Sequence, residues 1–153
     1  EKKFQIKFDQ DDIVSNLDFA ETFLDIAGAG IPREMQGRSF LPILKGRTPA
    51  DWRKTFYYHY YEFPGAHSVA RHYGVTDGHY KLINFYENKD WEMFDLTADP
   101  NELQSIYGRK EYAGIQSRLE KELVRLRQYY KVPKKDPDST RPKPRPKRTN
   151  KKK

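Results

Sequence analysis

Apolar and polar positions along this chain change their spacing several times, and each change marks an element. Phe4, Ile6 and Phe8 alternate with Lys3, Gln5 and Lys7, a period of two that predicts a strand within residues 1–14. Leu17, Ala20, Phe23, Leu24 and Ala27 then recur at helical spacing. Ser15 or Asn16 can cap that helix, and Gly28-Ala-Gly30 with Pro32 ends it. Gln36-Gly37-Arg38 reads as a turn, and Ser39 can cap a short helical turn from Phe40 to Leu44. Thr55 to Phe63 is almost entirely aromatic and predicts a strand over 55–63. Three further strands are expected near 68–75, 80–86 and 91–96, with Pro64-Gly65, Asp77-Gly78 and Glu87–Asp90 as the breaks. Asp99, Pro100 and Glu102 then spell a helix start: a cap, a proline at the first position, and an acid three residues after the cap. Finally Tyr112, Ile115, Leu119, Leu123, Leu126 and Tyr130 form one apolar stripe on a helix near 111–130, with charges on its other side.

These elements describe an α+β fold, a four-stranded antiparallel sheet packed by a long C-terminal helix. An N-terminal strand and helix precede it. Mean hydropathy is low at −1.02, but 14% of residues are aromatic, so a packed core remains available. Charge changes the picture at one end. Residues 131–153 carry eleven Lys/Arg against two Asp, while residues 1–130 carry eighteen against twenty, so the chain's net +7 belongs to the tail. That tail also holds five of the ten prolines and almost no apolar residue, a composition that reads as disordered. The cationic run Arg141–Arg148 could engage a polyanion: nucleic acid, an acidic membrane or a sulfated polysaccharide. No aromatic residue is interleaved with it to stack on bases. No stretch is apolar and long enough to span a membrane, and the absence of cysteine excludes disulfides and thiol chemistry.

Candidate chemistry gathers at the first two sheet strands. In a strand, His67, Arg71 and Tyr73 share one side and His72 takes the other, with His59 and Glu62 on the preceding strand. Arginine suits sulfate and carboxylate, and histidine can donate to sugar hydroxyls. His67, Arg71 and His72 are the expected binding residues; in the alternative, His59 and His72 are half-buried strand residues among aromatics and Arg71 pairs with Glu62. His79 fits a turn, Arg38 a positioning contact, and Trp52 and Trp91 packing. No Ser-His-Asp set, metal-spaced histidines or glycine-rich phosphate loop is visible, so no catalytic or metal-binding residue is expected.

Two stretches carry a resemblance. Tyr80-Lys-Leu-Ile83 followed by Trp91-Glu-Met-Phe-Asp-Leu96 and Asp99-Pro-Asn-Glu102 resembles the end of a type I, formylglycine-dependent sulfatase. Met35-Gln-Gly-Arg-Ser-Phe-Leu-Pro-Ile-Leu44 is similar to the segment these enzymes carry before that end, and Ser15-Asn-Leu-Asp18 through Leu24-Asp-Ile-Ala-Gly28 fits a third family run. The pattern around His59, Glu62, His67 and Arg71 resembles bacterial arylsulfatases and glucosamine 6-sulfatase-like enzymes. The resemblance implies an alkaline-phosphatase-superfamily lineage, a sulfuric ester hydrolase acting on sulfated glycans, and a periplasmic or secreted setting. It implies a division into an edge of the catalytic domain (1–50), the C-terminal subdomain (51–132) and a basic tail (133–153). The formylglycine motif C/S-x-P-S-R is absent, as is any Asp-Asn or Asp-His pair. The intact family uses formylglycine and a calcium ion. This chain is therefore expected to hold no cofactor, to be non-catalytic alone, and to partner an upstream catalytic domain, for which it would expose an apolar surface around Phe4, Ile6, Phe8, Ile13 and Phe23. A polyanion-binding protein acting through the tail is the alternative.

Overall fold

The computed structural model describes residues 11–63 and 67–136. The expected N-terminal strand over Phe4–Phe8 and most of the basic tail lie outside these residues. Within them the elements are α1 (Asp18–Ile26), α2 (Leu41–Leu44), β1 (Phe56–Tyr60), β2 (His72–Thr76), β3 (Tyr80–Phe85), β4 (Asp90–Asp95), a 3-10 turn (Lys110–Tyr112) and α3 (Ala113–Tyr129).

The four strands form an antiparallel meander in the order β1-β2-β3-β4. Alternation assigns the two sides. Val75, Leu82 and Met93 lie opposite one another across β2, β3 and β4, and all are fully buried. They meet Leu119, Leu123 and Leu126 of the α3 stripe, so the central core is the seam between helix and sheet. On the other side Tyr58 crosses β2 at Gly74. A Cβ there would stand 2.5 Å from the Leu82 carbonyl oxygen and 2.6 Å from the Tyr58 hydroxyl, so only glycine fits.

Two expectations need correction. β1 and β2 are shorter than expected, because residues 61–63 and 67–71 lie outside the sheet, and Arg71 ties down Tyr61 and Phe63. The helix start at Asp99 is a turn. Leu103 N–H and Gln104 N–H both donate to Asp99 Oδ2 at 2.8 Å, but Glu102 takes a left-handed φ of 55° that stops propagation. Its carboxylate is drawn instead to Lys81 Nζ, at 2.6 and 2.9 Å. The helix over 17–27 forms, and its polarity is inverted, with Phe23 exposed as expected. Asp18, Glu21 and Thr22 are buried, whereas Leu17, Phe19, Phe23 and Ile26 are exposed.

The buried polar side of α1 organises the N-terminal region. Arg38 N–H and Ser15 N–H donate to Asp18 at 2.8 and 2.7 Å, and Arg53 forks onto both Asp18 oxygens. Phe40 N–H donates to Thr22 Oγ1 at 3.0 Å, and Ser39 Oγ donates to Asp25 at 2.5 Å. The Gln-Gly-Arg-Ser turn is thereby clamped to the helix. Trp52 locks the approach to β1. Its indole N–H donates to the Ile13 carbonyl at 3.0 Å, its ring packs with Phe40 and Ile43, and Arg38 and Arg53 lie over it.

Candidate functional site

The sequence-derived candidates sit where β1 ends and β2 begins. Arg71 immediately precedes β2 and is buried, at 6% exposure. Its Nε donates to the Tyr61 carbonyl at 2.7 Å and its Nη2 to the Phe63 carbonyl at 3.1 Å. Nη1 donates to Glu87 at 3.2 Å, in place of the expected pairing with Glu62, which is exposed. Three donors of one guanidinium are thus spent on holding the β1–β2 connection against the β3–β4 turn. His67 lies exposed on that connection, outside any strand. His72, the first residue of β2, points to the opposite side from Arg71 and Tyr73. Its Nδ1 donates to the Ala70 carbonyl at 2.8 Å, and its ring stacks on Tyr60 and meets Tyr58 and Phe85. The three candidates are therefore neighbours in the chain that take three different environments.

On the α3 side of the sheet lies a polar network that sequence reading did not find. Burial pushes the His59 imidazole down to about 4, against the opposing pull of Asp136, so the ring is neutral near pH 7. Tyr86 hydroxyl donates to Asp136 Oδ2 at 2.6 Å. That use of the Tyr86 proton leaves its oxygen to accept from His59 Nε2, 3.4 Å away, so His59 Nδ1 accepts from Tyr57 hydroxyl at 3.0 Å. Asp136 Oδ1 also lies 3.7 Å from His59 Nε2, and Oδ2 4.0 Å from Arg71 Nη1. Arg127 of α3 stacks over Tyr73 at 3.8 Å. The alternation of Tyr57, His59 and Tyr61 could have placed His59 on this side; nothing local to Asp136 announces its long reach back to the sheet.

Other candidates resolve simply. His79 stacks on Tyr80 in the β2–β3 turn and lies 3.1 Å from Asp95. Arg38 donates to the Asp51 carbonyl and carboxylate at 2.8 and 3.0 Å, a positioning contact. Among the described residues no three His, Asp or Glu side chains converge as a metal site. No described helix is long and apolar enough to cross a membrane.

A four-stranded meander capped by a C-terminal helix, entered through a clamped Gln-Gly-Arg-Ser turn, is the C-terminal architecture of sulfatases. Comparison with known proteins bears this out. Residues 1–129 match the family described as N-sulphoglucosamine sulphohydrolase, C-terminal, and the chain belongs to that family. It is 51% identical over 129 residues to an N-acetylglucosamine-6-O-sulfatase of Bacteroides thetaiotaomicron, covering 82% of this chain and 23% of that protein. Among solved structures it superposes with TM-score 0.72 and 50% identity on BT4656 in complex with its substrate D-glucosamine-2-N,6-O-disulfate, over 74% of this chain and 24% of that one. A phosphonate monoester hydrolase from Silicibacter pomeroyi matches at TM-score 0.62 and 26% identity, over 73% of this chain and 24% of its own. The chain thus spans about a quarter of the length of these relatives.

Proposed function

We propose that this chain is the C-terminal subdomain of a sulfatase that hydrolyses a 6-O-sulfate ester on a glucosamine-type sugar. The observation that carries the reading is the 51% identity over 129 residues to an N-acetylglucosamine-6-O-sulfatase. The chemistry belongs to another part of such an enzyme, which supplies the formylglycine nucleophile and the calcium ion. This chain contributes shape and contacts, and alone turns over no sulfate ester. The secreted or periplasmic setting of glycan breakdown follows from the same reading.

Within it, the β1–β2 connection faces the sugar. His67 is exposed there and makes the contact. Arg71 acts through the connection, since its donors go to Tyr61, Phe63 and Glu87, and His72 fixes the base of the same segment through the Ala70 carbonyl.

The inverted helix α1 supports the partnership with a catalytic domain. Its side chains at Leu17, Phe19, Phe23 and Ile26 are between 48% and 64% exposed, an apolar patch suited to cover by the larger part of the protein.

The test is an exchange. This chain replaces the matching quarter of the Bacteroides sulfatase, and hydrolysis of 6-sulfated N-acetylglucosamine and of an aryl sulfate is measured. His67→Ala in that hybrid should reduce kcat/KM for the sugar about tenfold or more, the scale of a lost hydrogen bond in a charged site, and leave the aryl sulfate nearly unchanged. Equal losses on both substrates would remove His67 from the sugar contact.

A further inference from the structure

After α3 the chain turns back. Residues 131–136 cross the end of the sheet and carry Asp136 into a recess of about 430 Å3 lined by His59, Arg71, Tyr86 and Arg127, with Lys134 and Lys135 at its rim. Asp136 is the one acidic side chain of residues 131–136. It takes one strong hydrogen bond, from Tyr86 at 2.6 Å, and stands 3.7 Å from His59 and 4.0 Å from Arg71.

The recess holds more cationic donor capacity than this carboxylate uses. Arg127 Nη1 is shielded from water and has no hydrogen-bond partner among the described residues, a costly state for a guanidinium. Among the described residues the carboxylates near Arg71, Arg127, Lys134 and Lys135 are Asp136, Glu87, which Arg71 already engages, and Glu120, which lies by Arg127 and Lys134 in the adjoining recess and already accepts from Tyr107 and Gln116. A planar fork beside a phenol and an imidazole is the donor set that oxyanions select.

We propose that this recess is an oxyanion-binding site, for a sulfate ester or a carboxylate, that Asp136 plugs from its own strap. The incoming anion takes the Tyr86 hydroxyl and adds the unused Arg127 donor, and the strap lifts as Asp136 is displaced. Removing the Asp136 charge raises the net positive charge of the recess and frees the Tyr86 donor at the same time. The proposal is independent of the sulfatase reading, since it concerns binding by this chain alone.

The experiment titrates the full chain with sodium sulfate, and separately with sodium acetate, at ionic strength held constant with chloride. The readout is the ring signals of His59, which separates binding in the recess from binding to the basic tail. Asp136→Ala should bind one of the two anions about tenfold more tightly than the parent chain, the scale of one charged hydrogen bond gained. Preference for sulfate assigns the site to sulfate esters; preference for acetate assigns it to carboxylates. Adding Arg127→Gln should remove that gain. Should that variant fail to fold, adding Lys134→Ala and Lys135→Ala to Asp136→Ala, both at exposed positions, should weaken binding about threefold or more. An Asp136→Ala chain that binds neither anion more tightly than its parent, or one whose His59 signals stay still, overturns the proposal.

Discussion

Asp18 and Arg53 form a two-point ion pair that ties helix α1 to the segment entering the sheet, with the Asp18 side chain fully buried and that of Arg53 at 14% exposure. The pair joins residues on either side of the division that the resemblance implies, an edge of a catalytic domain (1–50) and a C-terminal subdomain (51–132). Leaving one buried charge unpaired costs about 3–5 kcal/mol. Arg53→Met should therefore lower the unfolding free energy by about that amount in urea titrations. An effect below about 1 kcal/mol would mean that water reaches and solvates Asp18.

The same carboxylate fixes a pH response. Burial pushes Asp18 up, but hydrogen bonds from Arg53, Ser15 N–H and Arg38 N–H outweigh it and hold the group below the usual carboxylate range. A depressed carboxylate gives stability that is fully present above its unfolded value of about 3.9 and is lost as pH falls through the folded value. Asp18→Asn should flatten the acid limb of the stability curve, measured by chemical unfolding between pH 2 and pH 5 (roughly the window set by those values).

His59 acts in a higher window and with the opposite chemistry. Its folded value is about 4, below the ordinary imidazole value, so the unfolded chain binds the extra proton. Stability contributed by the neutral ring is complete above about pH 6.5 and is lost progressively as pH falls toward the folded value. His59→Gln should be less stable than the parent at neutral pH and should lose less on acidification to pH 5 (roughly midway through this window), as followed by melting temperature.

Much of the sheet and of α3 was legible because each pattern had one physical reading. Val75, Leu82 and Met93 alternate because one side of a half-covered sheet must be dry, and Leu119, Leu123 and Leu126 recur because one side of a helix must meet it. Leu123→Ala should cost about 2–5 kcal/mol, the range for a buried leucine at such a seam. Helix α1 was legible as a helix, and the exposure of Phe23 followed from the resemblance rather than from the pattern. Its stripe says nothing about whether the covering surface lies in this chain, and the structure turns Phe19 and Phe23 outward. The Asp99 signal was locally sound and lost to a tertiary pull, the attraction of Glu102 to Lys81. The strap escaped because Asp136 reaches Tyr86 across fifty residues of sequence, with no periodicity to betray it.

The outward side of α1 separates two kinds of importance. Phe23→Ser with Ile26→Ser should change the stability of the isolated chain by only about 1 kcal/mol, because both side chains are more than half exposed. In the hybrid sulfatase the same pair should abolish activity or soluble expression. A hybrid unaffected by both changes would show that this patch meets nothing in the enzyme.

The most direct measurement compares three proteins on 6-sulfated N-acetylglucosamine: the Bacteroides sulfatase, the same enzyme cut before its matching C-terminal quarter, and that cut enzyme rebuilt with this chain. The cut enzyme should be inactive, this chain alone should be inactive, and the rebuilt enzyme should turn over the sugar within about a hundredfold of the parent, the range of effects attributed to positioning. A rebuilt enzyme that folds and cleaves an aryl sulfate but leaves the sugar untouched would contradict the substrate assignment. One that folds and cleaves neither would contradict the central claim.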